Sequence, residues 1–308
     1  MIAGGVGASP PLPRCSALAA GMNNPHGCCV WGGHVMVADA YNHRLVAVQD
    51  AVQKQREQQQ QQQRELISPP NLSPRSSLAA KRATIERAVA ARRLEADATG
   101  SISVITCPAP GWKYPHDVAV AECGDVFVSD FDGNAIWQNT WEGLSAGRGQ
   151  EWQAVAGLQL DHPCGLSCGG SSGSASGRRL AIADCYNNRV GVCSPSSAAE
   201  ISWSSCPLSH PTGVCWSRDS SCLAVADFDS GRVVWLDAAT LQVEAEAAVG
   251  REYACRSRLY DVECVGGEAG REVWVASDCV SSRMHIVQRD VRVSGGVAAA
   301  AAAEMIMA

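Results

Sequence analysis

Two histidines in closely similar settings are the first candidates for chemistry in this sequence. His26 is the second residue of a Pro-His-Gly triplet and His116 that of a Pro-His-Asp triplet. Aligned triplets elsewhere place Cys164, Thr212 and Tyr260 at the same position. Imidazole and thiolate groups are ligands of zinc and copper. His26, His116 and Cys164 are therefore candidate metal ligands, and the alternative is that the histidines cap a strand or face solvent.

Other arrangements of catalytic groups are not found. The sequence has no recognisable nucleophile–base pair, no paired carboxylates and no glycine-rich phosphate loop. We therefore predict no catalytic residue and no obligatory cofactor, and zinc or another divalent metal is the one cofactor considered.

A set of aspartates and arginines recurs at fixed spacing and is better explained by structure than by catalysis. Each Asp ends a short apolar run, and in four of five units an Arg follows five residues later. Such an Asp can accept backbone N–H bonds in the following turn, and the Arg can pair with a carboxylate or carbonyl. The predicted structural residues are Asp39, Asp130, Asp184, Asp227, Asp278, Arg44, Arg189, Arg232 and Arg283.

These residues belong to a repeat that predicts β-strands. Each of five units begins with the triplet, which opens a short first strand. A Gly- or Ser-rich turn follows, and then an alternating second strand such as "VMVAD", "VFVSD", "LAIAD" or "LAVAD". A polar turn then leads to a third strand. Three hairpin-linked strands at this period can bury both faces when stacked radially as blades. The expected fold is all-β, a β-propeller of four-stranded blades. Trp137, Trp235 and Trp274 are expected to pack between blades.

The segment "NNPHG…VMVADAYNHRLVAV" resembles the NHL repeat, which is characterised by Pro-x-Gly, a V-A-D strand and then Asn-His-Arg. The resemblance implies a β-propeller, commonly of six blades. Peptidylglycine-amidating lyases are similar propellers that hold zinc through histidines, some of them in Pro-His motifs. "ADCYNNRV" (residues 183–190) resembles an Arg-bearing turn of that family, and gluconolactonase-like hydrolases are a second enzyme relative. The lyases act in the secretory pathway, however, and the gluconolactonase carboxylate–amide constellation is not found here.

The number of blades is left open. Fourth strands are predicted at residues 101–106, 152–157, 199–204, 243–249 and 291–297, and "MIAGGVG" reads as an orphan strand at the N-terminus. The chain is therefore either five-bladed or an incomplete six-bladed propeller, with a slight preference for the second. The predicted propeller spans residues 1–297. A Gln/Pro/Ser/Arg-rich low-complexity insert occupies residues 51–97 within the first blade, and an Ala-rich tail occupies residues 298–308.

Charge and composition limit the classes of partner. The chain carries 25 Lys and Arg against 31 Asp and Glu, for a net charge of −6. The insert is basic, with a net charge of +4, which leaves −10 on the remainder. Because phosphate binding needs clustered Lys and Arg, RNA binding is disfavoured.

Compartment is inferred from the absence of recognisable targeting signals. No stretch predicts a membrane span or a secretory signal, and the odd number of cysteines, 15, fits reduced packing residues in an intracellular, cytoplasmic protein. We expect a soluble protein-interaction or ligand-binding scaffold with an unknown protein partner. A metal-dependent propeller enzyme is the alternative, and an RNA-binding propeller is a further one.

Overall fold

The strands in the structure follow the repeat seen in the sequence. The computed structural model describes residues 21–50, 95–96, 102–108, 111–148, 151–169, 179–194, 197–249, 257–268, 270–291 and 302–304. These residues form five antiparallel sheets arranged as a five-bladed β-propeller. The described residues thus contain the five blades that were recognised in the sequence.

Each sheet is one blade, and its strands are hydrogen-bonded in chain order from the axis outward. Blade 1 contains β1 (Pro25–Trp31), β2 (His34–Asp39), β3 (Arg44–Asp50) and β5 (Ile102–Pro108), with β4 (Glu95–Ala96) paired outside β5. Blade 2 contains β6 (Pro115–Val120), β7 (Asp125–Asp130), β8 (Ala135–Thr140) and β9 (Gln153–Ala154). Blade 3 contains β10 (Pro163–Gly169), β11 (Arg179–Asp184), β12 (Arg189–Ser194) and β13 (Ser197–Trp203). Blade 4 contains β14 (Pro211–Trp216), β15 (Cys222–Asp227), β16 (Arg232–Asp237) and β17 (Val243–Ala248). Blade 5 contains β18 (Leu259–Glu268), β19 (Arg271–Asp278), β20 (Arg283–Asp290) and β21 (Ala302–Glu304).

Helical structure is minor in the described residues. Helix α1 (Trp141–Ser145) begins after Thr140, whose Oγ1 accepts a hydrogen bond from the backbone N–H of Gly143. Single 3₁₀ turns, Ala40–Asn42 and Cys185–Asn187, follow the second strands of blades 1 and 3. None of the helices in these ranges is long and apolar enough to cross a membrane.

The hydrophobic core lies between adjacent blades. Four buried clusters join blades 1 and 2, 2 and 3, 3 and 4, and 4 and 5. Trp235 of blade 4 and Trp274 of blade 5 are fully buried, and their ring centroids lie 6.2 Å apart. Trp137 is partly buried against the cluster between blades 1 and 2. These Trp rings fill the inter-blade space that the small side chains of neighbouring strands leave open.

The outer strands differ from the sequence prediction in blade 5. Its fourth strand is β21, which pairs with β20 through Ile286 and Glu304 and lies in the residues assigned to the Ala-rich tail. The prediction at residues 291–297 came from counting along the repeat, and an alanine run carries no period-2 alternation that would have moved it to the tail. Residues 292–297, the orphan strand at the N-terminus and all of the insert except β4 lie outside the described residues.

Candidate binding site at the mouth of the axial cavity

The innermost strand of every blade has the same irregularity at its start. Its opening residue pairs with the Asp that ends the second strand, and the register then shifts before the regular ladder resumes. The second residue of each triplet lies in this shifted stretch. Irregularities of this kind redirect side chains. The opening pairs are Pro25 with Asp39, Pro115 with Asp130, Pro163 with Asp184, Pro211 with Asp227, and Leu259 with Asp278.

The five residues singled out by the triplets lie together in the structure. They all line one cavity with a volume of about 390 Å³ at this end of the propeller axis. Each blade contributes one of them: His26, His116, Cys164, Thr212 and Tyr260. Whether they bind a ligand remains a prediction, but their side chains share one concave surface.

Three of these side chains form a hydrogen-bonded cluster that joins blades 1, 2 and 5. The Tyr260 hydroxyl lies 2.8 Å from Nδ1 of His26 and 2.6 Å from Nε2 of His116. The two imidazole centroids are 4.7 Å apart. On its other side, Nε2 of His26 lies 2.6 Å from the Tyr114 hydroxyl, which also accepts a hydrogen bond from Asn24.

Burial keeps this cluster uncharged. Burial lowers the pKa of His116 to about 3, with a smaller contribution from neighbouring His26, and burial also lowers the pKa of His26. Burial raises the pKa of Tyr260 well above its ordinary value. At neutral pH the cluster therefore consists of two neutral imidazoles and a neutral phenol, which interact through hydrogen bonds rather than charges.

The three predicted metal ligands do not form a coordination set in this arrangement. His26 and His116 converge, but the space between their facing nitrogens holds the Tyr260 hydroxyl. The Cys164 thiol instead lies 3.7 Å from the carbonyl oxygen of His162 and interacts with the Cys185 thiol. Among the described residues, no group of three or more His, Cys, Asp or Glu side chains has the geometry to hold a metal ion.

The other eight described lining residues are not among those singled out by the triplets. They occupy the two positions after the strand-ending Asp, or the position before the opening triplet. The same repeat alignment contained this signal, since these positions come to the same end of the blade as the triplet. The additional lining residues are Tyr114, Phe131, Asp132, Cys185, Tyr186, His210, Phe228 and Asp229.

Aromatic rings form a nearly continuous belt around the mouth. Phe131 stacks on His116 at 5.7 Å and meets the edge of His162 at 4.6 Å. His162 in turn stacks on Tyr186 at 4.2 Å, and Tyr186 meets His210 at 5.4 Å. Tyr186 remains 49% exposed, so the belt presents aromatic surface to solvent.

The charged side chains in the described cavity lining are carboxylates. Asp229 accepts a hydrogen bond of 2.6 Å from Nδ1 of His210, and its other oxygen lies 3.6 Å from Nε of Arg258. Asp132 lies on the cavity and its side chain is 54% exposed, and His162 lies between it and Asp161. The described lining residues include no Lys or Arg.

The recurrent aspartates hold the backbone beneath this surface. Buried Asp39, Asp184 and Asp227 each accept from the Nε of the Arg five residues later, at 2.6 to 2.8 Å. They also accept from a backbone N–H in the loop that precedes the first strand of their own blade. Asp130 and Asp278 receive the equivalent loop N–H from Tyr114 and Arg258, and Arg283 is the strand partner of Asp278. The carboxylates thus tie the triplet loop to the second strand, and Asp130 and Asp278 also accept the predicted bonds within the following turn, from the backbone N–H groups of Gly133 and Ser281.

Comparison with known proteins agrees with the fold. The NHL repeat pattern matches residues 22–47, which cover blade 1 from the loop before β1 into β3. No curated protein matches the chain significantly.

Solved structures resemble the whole propeller at low sequence identity. A streptogramin B lyase matches with a TM-score of 0.51 and 10% identity, covering 92% of this chain and 83% of that one. A catalytically inactive variant of virginiamycin B lyase from Staphylococcus aureus, solved with quinupristin, matches with a TM-score of 0.50 and 11% identity. That alignment covers 82% of this chain and 62% of the lyase, so the chain spans less than two thirds of its length. At these identities the likeness concerns the fold alone.

Proposed function

Since the chain carries an NHL repeat and folds as a five-bladed β-propeller, we propose that it is a binding scaffold whose contact site for a protein partner is the mouth of the axial cavity. The observation that carries this proposal is that all five blades contribute the same triplet position to one cavity with aromatic walls. Concave, largely apolar sites with a few convergent polar groups are typical of binding sites. Partly exposed aromatic side chains are the kind that contribute most at protein interfaces.

A protein partner is favoured over a nucleic acid by the character of the lining. Nucleic acids are bound through clustered Lys and Arg that neutralise phosphates. The described lining residues carry two carboxylates and no basic side chain, which would repel a phosphate backbone. The proposed scaffold therefore does not use this mouth for RNA.

The test uses a matched pair of tyrosines. Peptides selected from a displayed library on the purified full chain are titrated against wild type, Tyr186→Ala and Tyr41→Ala. Both tyrosines are exposed, but only Tyr186 lines the cavity. We expect Tyr186→Ala to weaken binding by about tenfold or more and Tyr41→Ala by less than about twofold, because energetic contacts cluster in the pocket. Equal effects of the two variants, or no selected peptide, would overturn the proposal.

A metal-dependent propeller enzyme, resembling the peptidylglycine-amidating lyases or gluconolactonase-like hydrolases, is the second candidate. It is favoured by the approach of His26 and His116 to a shared point in the cavity. Metal content of the untagged protein, measured by mass spectrometry beside a His26→Ala/His116→Ala variant, separates the candidates. About one zinc or copper per chain that is lost in the variant would favour the enzyme, given the affinity of imidazoles for these metals. Equal trace metal in both proteins would favour the scaffold.

A further inference from the structure

We infer that the group accepted by the cavity is a positively charged side chain, lysine or arginine, presented by a basic segment of the partner. This inference rests on the proposed binding function and adds the chemical class of the group bound. It is carried by three features of the mouth: its aromatic walls, its carboxylates, and an arginine of the chain itself that already occupies part of this surface.

The walls and the charges are complementary to a cation. Phe131, Tyr186 and Phe228 line the cavity together with Asp132 and Asp229. The faces of aromatic rings attract cations, and the attraction grows as the cation is desolvated. The carboxylates add attraction of the same sign, and among the described lining residues no Lys or Arg opposes it.

Two of the three histidines in the described lining are partly or fully buried and do not oppose a cation, and the third, His210, is hydrogen-bonded to Asp229. His26 and His116 carry pKa values lowered by burial, so their imidazoles remain neutral at neutral pH. Their facing nitrogens are engaged with the Tyr260 hydroxyl. An incoming cation therefore meets no buried positive charge below it.

Arg258 shows that this surface accommodates a guanidinium group. Its guanidinium carbon lies 5.3 Å from the ring centroid of Phe228, and its Nε lies 3.6 Å from Oδ1 of Asp229. The Arg258 side chain is exposed at the rim, and it does not line the cavity itself. A partner arginine would make the same pair of contacts, either beside Arg258 or in its place. Asp132, on the blade 2 side of the mouth, supplies a second carboxylate.

If a partner arginine competes with Arg258, two substitutions should change the affinity for an arginine peptide in opposite directions. Full-length protein is titrated by NMR with the capped pentapeptide Gly-Ser-Arg-Ser-Gly and with the same peptide carrying neutral citrulline, an arginine isostere. We expect the arginine peptide to bind about tenfold more tightly. Asp132→Asn should reduce this preference to about threefold or less, since one carboxylate is lost. Arg258→Ala should increase affinity for the arginine peptide by about threefold or more, because it vacates Phe228 and Asp229.

Matched surface variants control for general electrostatics. Arg271 and Asp290 form an exposed pair on blade 5 outside the cavity lining. Arg271→Ala and Asp290→Asn are expected to change arginine-peptide affinity by less than about twofold, because exposed charges are screened at physiological salt. Effects as large as those of the rim variants would mean that net charge alone drives binding, and this would overturn the inference.

The remaining outcomes separate this inference from the proposed function. If the arginine and citrulline peptides bind equally and both are weakened by Tyr186→Ala, the cavity binds peptides but the inference of a cation is wrong. If neither peptide binds while library-selected peptides do so through Tyr186, the scaffold stands and the cation inference again fails. If tetramethylammonium binds as tightly as the arginine peptide, the cavity binds free small cations. This would overturn the inference that it binds a side chain of a partner.

Discussion

At the scale of single residues, the buried strand-ending aspartates each accept hydrogen bonds from several parts of the chain. Asp184 is fully buried and accepts hydrogen bonds from the backbone N–H of Asp161, from Asn187 and from Nε of Arg189. Through Asp161 it fixes the loop that places His162 in the aromatic belt. Hydrogen bonds to a charged acceptor are the stronger kind, and each lost partner leaves a buried donor without an acceptor.

Asp184→Ala is therefore expected to lower the free energy of unfolding by about 3 kcal/mol, because three donors lose a fully buried carboxylate, one of them the partly exposed Arg189. Urea unfolding followed by Trp fluorescence measures this change. Asp290→Ala removes an Asp whose pair with Arg271 is exposed on both sides, and it should stay within about 1 kcal/mol of wild type. A loss for Asp184→Ala as small as that of the control would show that the recurrent aspartates do not hold the triplet loops.

At the scale of elements, the close approach of neighbouring first strands depends on small third residues in the triplets. A Cβ atom built on Gly213 in β14 would lie 2.6 Å from the Cα of Asp261 in β18. The third residue of β18 is this Asp, and its Oδ1 accepts from the backbone N–H of Val262. The absence of a side chain at Gly213 thus allows β14 to pack closely against β18 at Asp261.

Gly213→Ala is expected to destabilise the protein by about 2 kcal/mol or more, because the contact is with backbone that cannot rotate away. Gly266→Ala in β18 is the matched control, since its added methyl group would meet only Arg218 at 4.0 Å. That substitution should stay within about 0.5 kcal/mol of wild type or stabilise slightly. Thermal unfolding of both variants makes the comparison, and similar losses in the two would contradict strand packing as the cause.

The sequence allowed the blades to be predicted because each strand carries its own local signal. Alternating runs ending in Asp became β2, β7, β11 and β15, and the fourth strands of blades 1 to 4 overlap their predicted positions. Aligning the triplets also brought together the residue from each blade that lines the cavity. These features are encoded within single repeats.

What could not be predicted depends on contacts between repeats. Tyr260 of blade 5 reaches His26 of blade 1 and His116 of blade 2 only because the blades are arranged around a common axis, and the sequence left the number of blades open. Phe131 meets the edge of His162 because the turn after β7 of blade 2 lies against the loop before β10 of blade 3. Neither residue stood out by type or spacing. The aromatic belt is thus a property of blade stacking and was not apparent in any single motif.

At the scale of the whole molecule, the small side chains of the core place many thiols between blades. None of the 13 cysteines among the described residues is in a disulfide, and they include buried Cys107, Cys193 and Cys222. Burial raises the pKa of Cys107 to about 12 and those of Cys193 and Cys222 to about 11. Since the thiolate is the reactive form, these side chains should be protected both sterically and chemically while the blades stay packed.

Brief maleimide labelling of the native protein at pH 8, mapped by mass spectrometry, is expected to modify exposed Cys123 and Cys279 first. Cys107, Cys193 and Cys222 should react at least about 100-fold more slowly, because a pKa near 11 leaves little thiolate at that pH. Labelling in guanidinium chloride should remove the difference and serves as the control. Because these three thiols sample blades 1, 3 and 4, uniform protection would indicate that the propeller opens as one unit. Fast native labelling of any one of them would instead locate an inter-blade contact that opens independently of the others.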